Sequence, residues 1–104
     1  MPIEVCPSPI HGKGVFARKE FQKGEWIGRY LSRKTDNDGT YVLWVEDEAT
    51  RKVQGYDGFG RLRFLNHAKK ANSQFDGIEL YAAQTITPGE EITFHYGDEW
   101  EHVD

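Results

Sequence analysis

The chain reads as a mostly-β domain built of small curved sheets, with one or two short helices. Three observations predict this. Glycine and proline recur at short intervals, from Pro7, Pro9, Gly12 and Gly14 through to Pro88 and Gly89. The runs between them are short and rich in Val, Ile, Phe, Tyr and Trp, residues that fit a pleated, half-buried surface. Helical periodicity is scarce along the whole sequence.

Taken in order, Val15-Phe16-Ala17 reads as a strand after a tight glycine turn, and Trp26 to Leu31 as another, with Trp26, Gly28 and Tyr30 on one face. Asp36-Asn-Asp-Gly39 is a turn signal. It leads into Thr40 to Glu46, where Tyr41, Leu43 and Val45 alternate with Val42, Trp44 and Glu46. Asp47 to Thr50 is a turn, and Arg51 to Tyr56 returns as a hairpin arm. Arg61 to Ala68 is a short helix or a turn. Ile78 to Ala83 and Glu91 to His95 are strands separated by Thr87-Pro-Gly89.

At 104 residues the expectation is one domain, spanning 1–104. Hydrophobic residues make up 38% and aromatic residues 13%, enough for a small core and too much for a disordered chain. Thirteen basic against 17 acidic residues give a formal net charge of -4. That argues against direct nucleic-acid binding, which rests on neutralising phosphates, and fits a basic polypeptide partner. Cys6 is the single cysteine, so neither an internal disulfide nor a cysteine-based zinc cluster is expected. His11, His67, His95 and His102 lack zinc-site spacing, and no metal is expected. The N-terminus lacks the pattern of a signal peptide, and no window approaches the 18 or so apolar residues of a membrane span. A reducing, intracellular setting follows as the expectation.

Several residues stand out for chemistry. Gly12 and Gly14 flank Lys13, and two glycines one apart allow either a sharp turn before a strand or a close backbone approach to a ligand. Asn66 and His67 follow the apolar pair Phe64-Leu65; their polar groups are costly to bury unless hydrogen-bonded. Tyr96 sits between His95 and Gly97 at the end of a strand, where a tyrosine serves either a core or a reaction. Asp98, Glu99, Glu101 and Asp104 form an acidic end, either a plain solvated face or an attraction for Lys/Arg-rich chains.

Four segments in order, His11-Gly-Lys-Gly-Val-Phe-Ala17, Gly24-Glu-Trp-Ile27, Arg63-Phe-Leu-Asn-His67 and Gly89-Glu-Glu-Ile-Thr-Phe-His-Tyr-Gly97, resemble the signature pieces of a SET domain. This is the fold of most protein lysine methyltransferases. The resemblance implies small curved sheets with a pseudoknot, in which the Asn-His segment is threaded under the loop that follows it. It implies S-adenosylmethionine as cofactor, held by Gly12, Lys13, Gly14, Asn66 and His67, with Arg63 helping to hold the arrangement and Trp100 covering the adenine. It makes Tyr96 the central catalytic residue and Tyr41 its partner in a lysine channel that Phe75 and Phe94 also line. Phenylalanine at both of those positions implies a roomier pocket, hence di- or trimethylation.

The substrate implied is a lysine in a basic protein, such as a histone or a nucleic-acid-associated protein. The location implied is cytoplasmic or nuclear, host chromatin included, because the chain most resembles minimal viral and bacterial SET proteins. It departs from other members in four ways. The insert between Tyr30 and Tyr41 is very short, Phe59-Gly60-Arg61 stands where Gly-Asn is usual, and Ala68 replaces a common serine. Only eight residues follow Tyr96. A homodimer that completes the substrate groove is one reading of these departures. A catalytically weak module that binds protein or cofactor without turnover is the alternative.

Overall fold

The computed structural model describes residues 2–95. Among these the chain forms ten short strands and one turn of 3-10 helix, arranged as three small sheets. The strands are β1 (Ile3–Pro7), β2 (Lys13–Ala17), β3 (Trp26–Arg29), β4 (Ser32–Thr35), β5 (Val42–Glu46), β6 (Val53–Gly58), β7 (Asn66–His67), β8 (Ser73–Asp76), β9 (Glu79–Ala82) and β10 (Glu91–Phe94). The 3-10 turn, Arg61–Phe64, lies between β6 and β7. No helix is long and apolar enough to cross a membrane.

The first sheet has the order β1-β2-β10-β7, the second β3-β9-β8, and the third β4-β6-β5. Glycine turns close several connections for identifiable reasons. Pro88 and Gly89 occupy the centre of a turn closed by Glu90 N–H to Thr87 O at 3.1 Å, with Gly89 at φ 90°, a conformation that favours glycine. Gly77, at φ 63°, opens the two-residue loop between β8 and β9. The β5–β6 loop is organised by Asp47, whose carboxylate accepts the N–H groups of Ala49 and Thr50.

The core lies where the sheets meet. Val15, Ile92, Ile86, Leu80 and Phe21 are essentially inaccessible, and Leu62 from the 3-10 turn packs into the same cluster. Burying each such side chain contributes about 1.5–3 kcal/mol, the main stabilising term in a domain this small.

The sequence expectations hold for β2, β5, β9 and β10 in kind and nearly in extent. Four strands were not expected: β1, β4, β8, and β7, which falls within Arg61 to Ala68, the stretch read as a short helix or a turn. One face was misassigned. Trp26, Gly28 and Tyr30 do not share a side, because the β3–β9 register shifts between Trp26 and Gly28. The bulge puts Ile27 and Gly28 both inward and leaves Trp26 52% exposed.

The parallel pairing of β7 with β10 is what positions the site. Asn66 stands opposite Thr93 and His67 opposite Phe94, and Ala68 N–H donates to Phe94 O at 2.9 Å. Just beyond, buried Asn72 acts as a surrogate strand. Its Oδ1 accepts Thr93 N–H at 2.9 Å and its Nδ2 donates to Glu91 O at 2.8 Å. The segment following the 3-10 turn is thereby fastened to the last described strand, the crossing on which the implied pseudoknot depends.

Candidate active site

Two adjacent residues of β7 face two different surroundings. Asn66 points to the turn between β1 and β2. Its Nδ2 donates towards Glu91 Oε2 (2.8 Å), Lys13 O (3.1 Å), Ser8 Oγ (3.1 Å) and His11 O (3.2 Å). The Gly12-Lys13-Gly14 turn therefore sits directly on the Asn66 amide. Gly12 has φ 46°, a conformation L side chains rarely adopt, with open space where a Cβ would project. Gly14 is needed for a different reason: a Cβ there would collide with the Glu91 carboxylate, lying 2.9 Å from its Cδ. Lys13 is exposed, its ammonium 5.6 Å from the centre of the Phe64 ring.

His67 faces the other way, into aromatic surroundings. Its ring stacks on His95 at 4.9 Å between centroids and meets Phe94 edge-on at 6.2 Å. Phe94 in turn meets Phe75 at 5.5 Å, and Phe75 meets Tyr30 at 5.8 Å, both edge to face. A narrow cavity of about 100 Å³ opens among these rings, with Tyr41, Leu43, His67, Phe75 and Phe94 in its lining. Three of the four residues expected to line a channel, Tyr41, Phe75 and Phe94, thus share one cavity. The Tyr30 hydroxyl holds this wall by donating to Tyr41 O. Tyr96, the fourth, and Trp100 lie outside the described residues.

Arg63 is placed between the two regions. Its Nη1 donates to Phe59 O (2.7 Å) and Gly60 O (2.9 Å), and its guanidinium lies 4.2 Å over the Phe64 ring and 5.6 Å from that of Tyr41. It braces the 3-10 turn that leads into β7. Sequence reasoning missed Ser8, Glu91, Tyr30 and Leu43. Glu91 stood in a quoted segment, but nothing local distinguishes it from Glu90. Glu90 turns to Thr87, whose hydroxyl and N–H hold its carboxyl below the usual range. Glu91 turns to the site.

A family model described as "SET domain" matches residues 12–97. The chain belongs to the SET domain family. Among similar proteins, the N-lysine methyltransferase KMT5A-A of Danio rerio is 31% identical over 114 residues, covering 84% of this SET domain chain and 33% of the relative. The histone-lysine N-methyltransferase trithorax of Drosophila virilis is 26% identical over 116 residues, covering 90% of this chain and 3% of that protein. The chain thus spans 33% of the length of the KMT5A-A relative and a far smaller part of trithorax. The methyltransferase domain of human PR domain-containing protein 2 superposes with a TM-score of 0.73 at 22% identity, covering 93% of this chain and 78% of that one. That likeness is one of fold.

The residues of this SET domain fit the cofactor expected from the sequence. S-adenosylmethionine carries an ammonium and a carboxylate at its amino-acid end. Asn66 Nδ2 is occupied by the acceptors around it, while its Oδ1 accepts no hydrogen bond among the described residues and is available to a donor. The adjoining Gly12 backbone is open, and Glu91 brings negative charge beside it.

Proposed function

We infer that this SET domain is a protein-lysine N-methyltransferase that uses S-adenosylmethionine. The observation that carries this reading is the back-to-back arrangement on β7. Asn66 is bound into the Gly12-Lys13-Gly14 turn, and His67, the next residue, forms part of the aromatic cavity. A cofactor seated on the first and a lysine inserted through the second would approach each other across two residues of chain.

When bound, the cofactor supplies a methyl group activated by a sulfonium. The chain's own residues do the rest. A lysine accepts a methyl only through its lone pair, so it must arrive neutral. The apolar walls formed by Leu43, Phe75 and Phe94 disfavour the ammonium and lower the lysine pKa. Holding the amine in line with its target supplies about 7–11 kcal/mol of the barrier. Tyr96, which directly follows His95, and Tyr41 are assigned to orient the amine and stabilise developing charge. An unperturbed tyrosine pKa of about 10 makes either a poor general base near neutrality. Aromatic faces also accommodate methylated cations by about 0.5–2 kcal/mol each. With phenylalanine at both 75 and 94 the product is di- or trimethyl-lysine.

The substrate assigned is a basic protein segment, of the kind found in histones and nucleic-acid-associated proteins, met inside the cell in cytoplasm or nucleus. A groove of about 860 Å³ beside the cavity supports this. Its lining sets four carboxylates, Glu46, Asp47, Glu48 and Asp76, against two lysines, Lys34 and Lys52, and it lies between β5 and β8, each the outer strand of its sheet. An extended peptide can pair with such edges while its basic side chains meet the carboxylates. A homodimer completes the reading. It is supported by an apolar groove of about 410 Å³ that includes Pro2, Ile3, Trp26 and Leu31, and by the exposure of both Trp26 and Leu31. Sedimentation of the chain and of Trp26→Glu tests that part separately.

The deciding experiment is calorimetric titration with S-adenosylmethionine. One-site binding is expected, lost in Asn66→Ala, followed by transfer of labelled methyl to lysine peptides that Tyr96→Phe reduces about 10²-fold. Failure of the wild-type chain to bind the cofactor would overturn the reading.

A further inference from the structure

Glu91 is a carboxylate whose neighbours do not neutralise it. Ser8 Oγ lies 2.7 Å from Oε1 and 2.9 Å from Oε2, and Asn66 Nδ2 lies 2.8 Å from Oε2. Both partners are neutral. Among the described residues Glu91 makes no ion pair, whereas Glu4, Glu25, Glu46 and Glu79 all do. It is half-buried on β10, with Gly14 close against it, in the one place where the turn, β7 and β10 converge.

Its position also decides how the Asn66 amide is turned. An asparagine side chain can present either its NH2 or its carbonyl to a given neighbour, and the network chooses. Here three of the four groups facing the amide are the carbonyls of His11 and Lys13 and the carboxylate of Glu91. None of these can donate a hydrogen bond. The nitrogen must face inward, so the carbonyl oxygen is the end left for a ligand.

We propose that Glu91 is a positioning residue for the α-ammonium of the bound cofactor. It pins the Asn66 amide with Nδ2 inward and Oδ1 outward, and it supplies the negative charge that the ammonium answers. The single negative charge of the network stands behind the acceptor rather than in contact with the ligand. It makes Oδ1 a better acceptor for a cation and an unfavourable neighbour for an anion. Gly14 belongs to the same device, since a side chain there would displace the carboxylate. This proposal rests on the cofactor reading above.

The test uses two probes that cannot transfer a methyl: S-adenosylhomocysteine, and its analogue with hydrogen in place of the α-ammonium. Their dissociation constants are measured by calorimetry on the full chain and on Glu91→Gln. Glutamine can keep hydrogen bonds to Ser8 and Asn66 while removing the charge. The wild-type chain is expected to prefer the ammonium-bearing probe by about tenfold, the scale of one hydrogen bond to a charged group. Glu91→Gln is expected to shrink that preference to about twofold or less, chiefly by weakening the first probe.

Equal weakening of both probes, or an unchanged ratio, would mean that Glu91 is merely structural and would overturn the proposal alone. Binding of neither probe by the wild-type chain would overturn the cofactor reading and this proposal with it. If Glu91→Gln does not fold, Glu91→Ala takes its place, because it too removes the charge. Retention of the tenfold preference in Glu91→Ala would overturn the proposal, and its loss, with the affinity for the probe lacking the ammonium kept, would support it.

Discussion

The phenol end of Tyr30 lies against Gly58, so close that a Cβ on the glycine would stand 2.6 Å from Tyr30 Cζ. The same tyrosine donates its hydroxyl to Tyr41 O, and Gly58 N–H donates to that carbonyl at 2.9 Å. The Tyr30 side chain, packed on the β6 backbone at Gly58, therefore fixes the wall of the cavity that Tyr41 lines. Gly58→Ala is expected to cost about 1–3 kcal/mol of stability through overpacking. It should also lower methyl transfer more than cofactor affinity, since it disturbs Tyr41 and leaves Asn66 alone. Denaturant unfolding and calorimetry on the same variant check both halves. Wild-type stability would show that the close approach relaxes without cost.

Asn72 replaces a neighbouring strand for β10, and its removal is expected to be expensive. In Asn72→Ala the Thr93 N–H and the Glu91 carbonyl lose their partners, and the expected loss is about 2–4 kcal/mol. The check is the midpoint of urea unfolding with its slope unchanged. A loss below about 0.5 kcal/mol would mean that water replaces the amide readily.

The pH dependence of stability has a local component at Glu79. The Trp26 indole N–H, first, and the Arg29 guanidinium, second, hold its carboxyl below the ordinary value. A carboxyl depressed in the folded state adds stability above its unfolded pKa of about 4.3 and loses it as pH falls through the lower folded value. Wild type should therefore melt above Glu79→Gln at neutral pH, with the gap closing under acid. A gap that stays constant from pH 7 to pH 2 would remove the carboxylate from the account.

A hydroxyl introduced into the aromatic cavity should restrict its product. Phe75→Tyr or Phe94→Tyr adds a polar atom to a space of about 100 Å³, and the fraction of mono- over trimethyl-lysine is expected to rise about tenfold or more. Mass spectrometry of a methylated peptide reads this directly. An unchanged product distribution for both variants would assign the limit to other residues.

The strands legible in the sequence were those rich in β-branched and aromatic residues, such as Val42 to Glu46 and Glu91 to Phe94. β4 carries Ser-Arg-Lys-Thr, without an apolar residue, and exists because it pairs with β6 residue by residue. β8 offers only Phe75 and β1 contains a glutamate and a proline, so neither shows a face until its neighbour is in place. The bulge at Trp26 defeats alternation because a register shift leaves no local mark. The cavity shared by Tyr41, His67, Phe75 and Phe94, and the seating of Asn66 on the Gly12 turn, could be anticipated only through the family resemblance. The importance of Ser8 and Glu91 could not, since it depends on a hydrogen bond spanning 83 positions.

The two-residue strand Asn66–His67 gives the chain an economy of fastening. Asn66 ties the opening turn to the closing strand, and His67 carries the cavity wall, so one short pairing with Thr93 and Phe94 supports both. Loosening that pairing would dismantle the two surfaces together, and neither could fray while the other stayed intact. A ligand on either surface should thus behave as a clasp on the whole chain: it should raise the melting temperature globally and slow amide exchange in strands it never touches.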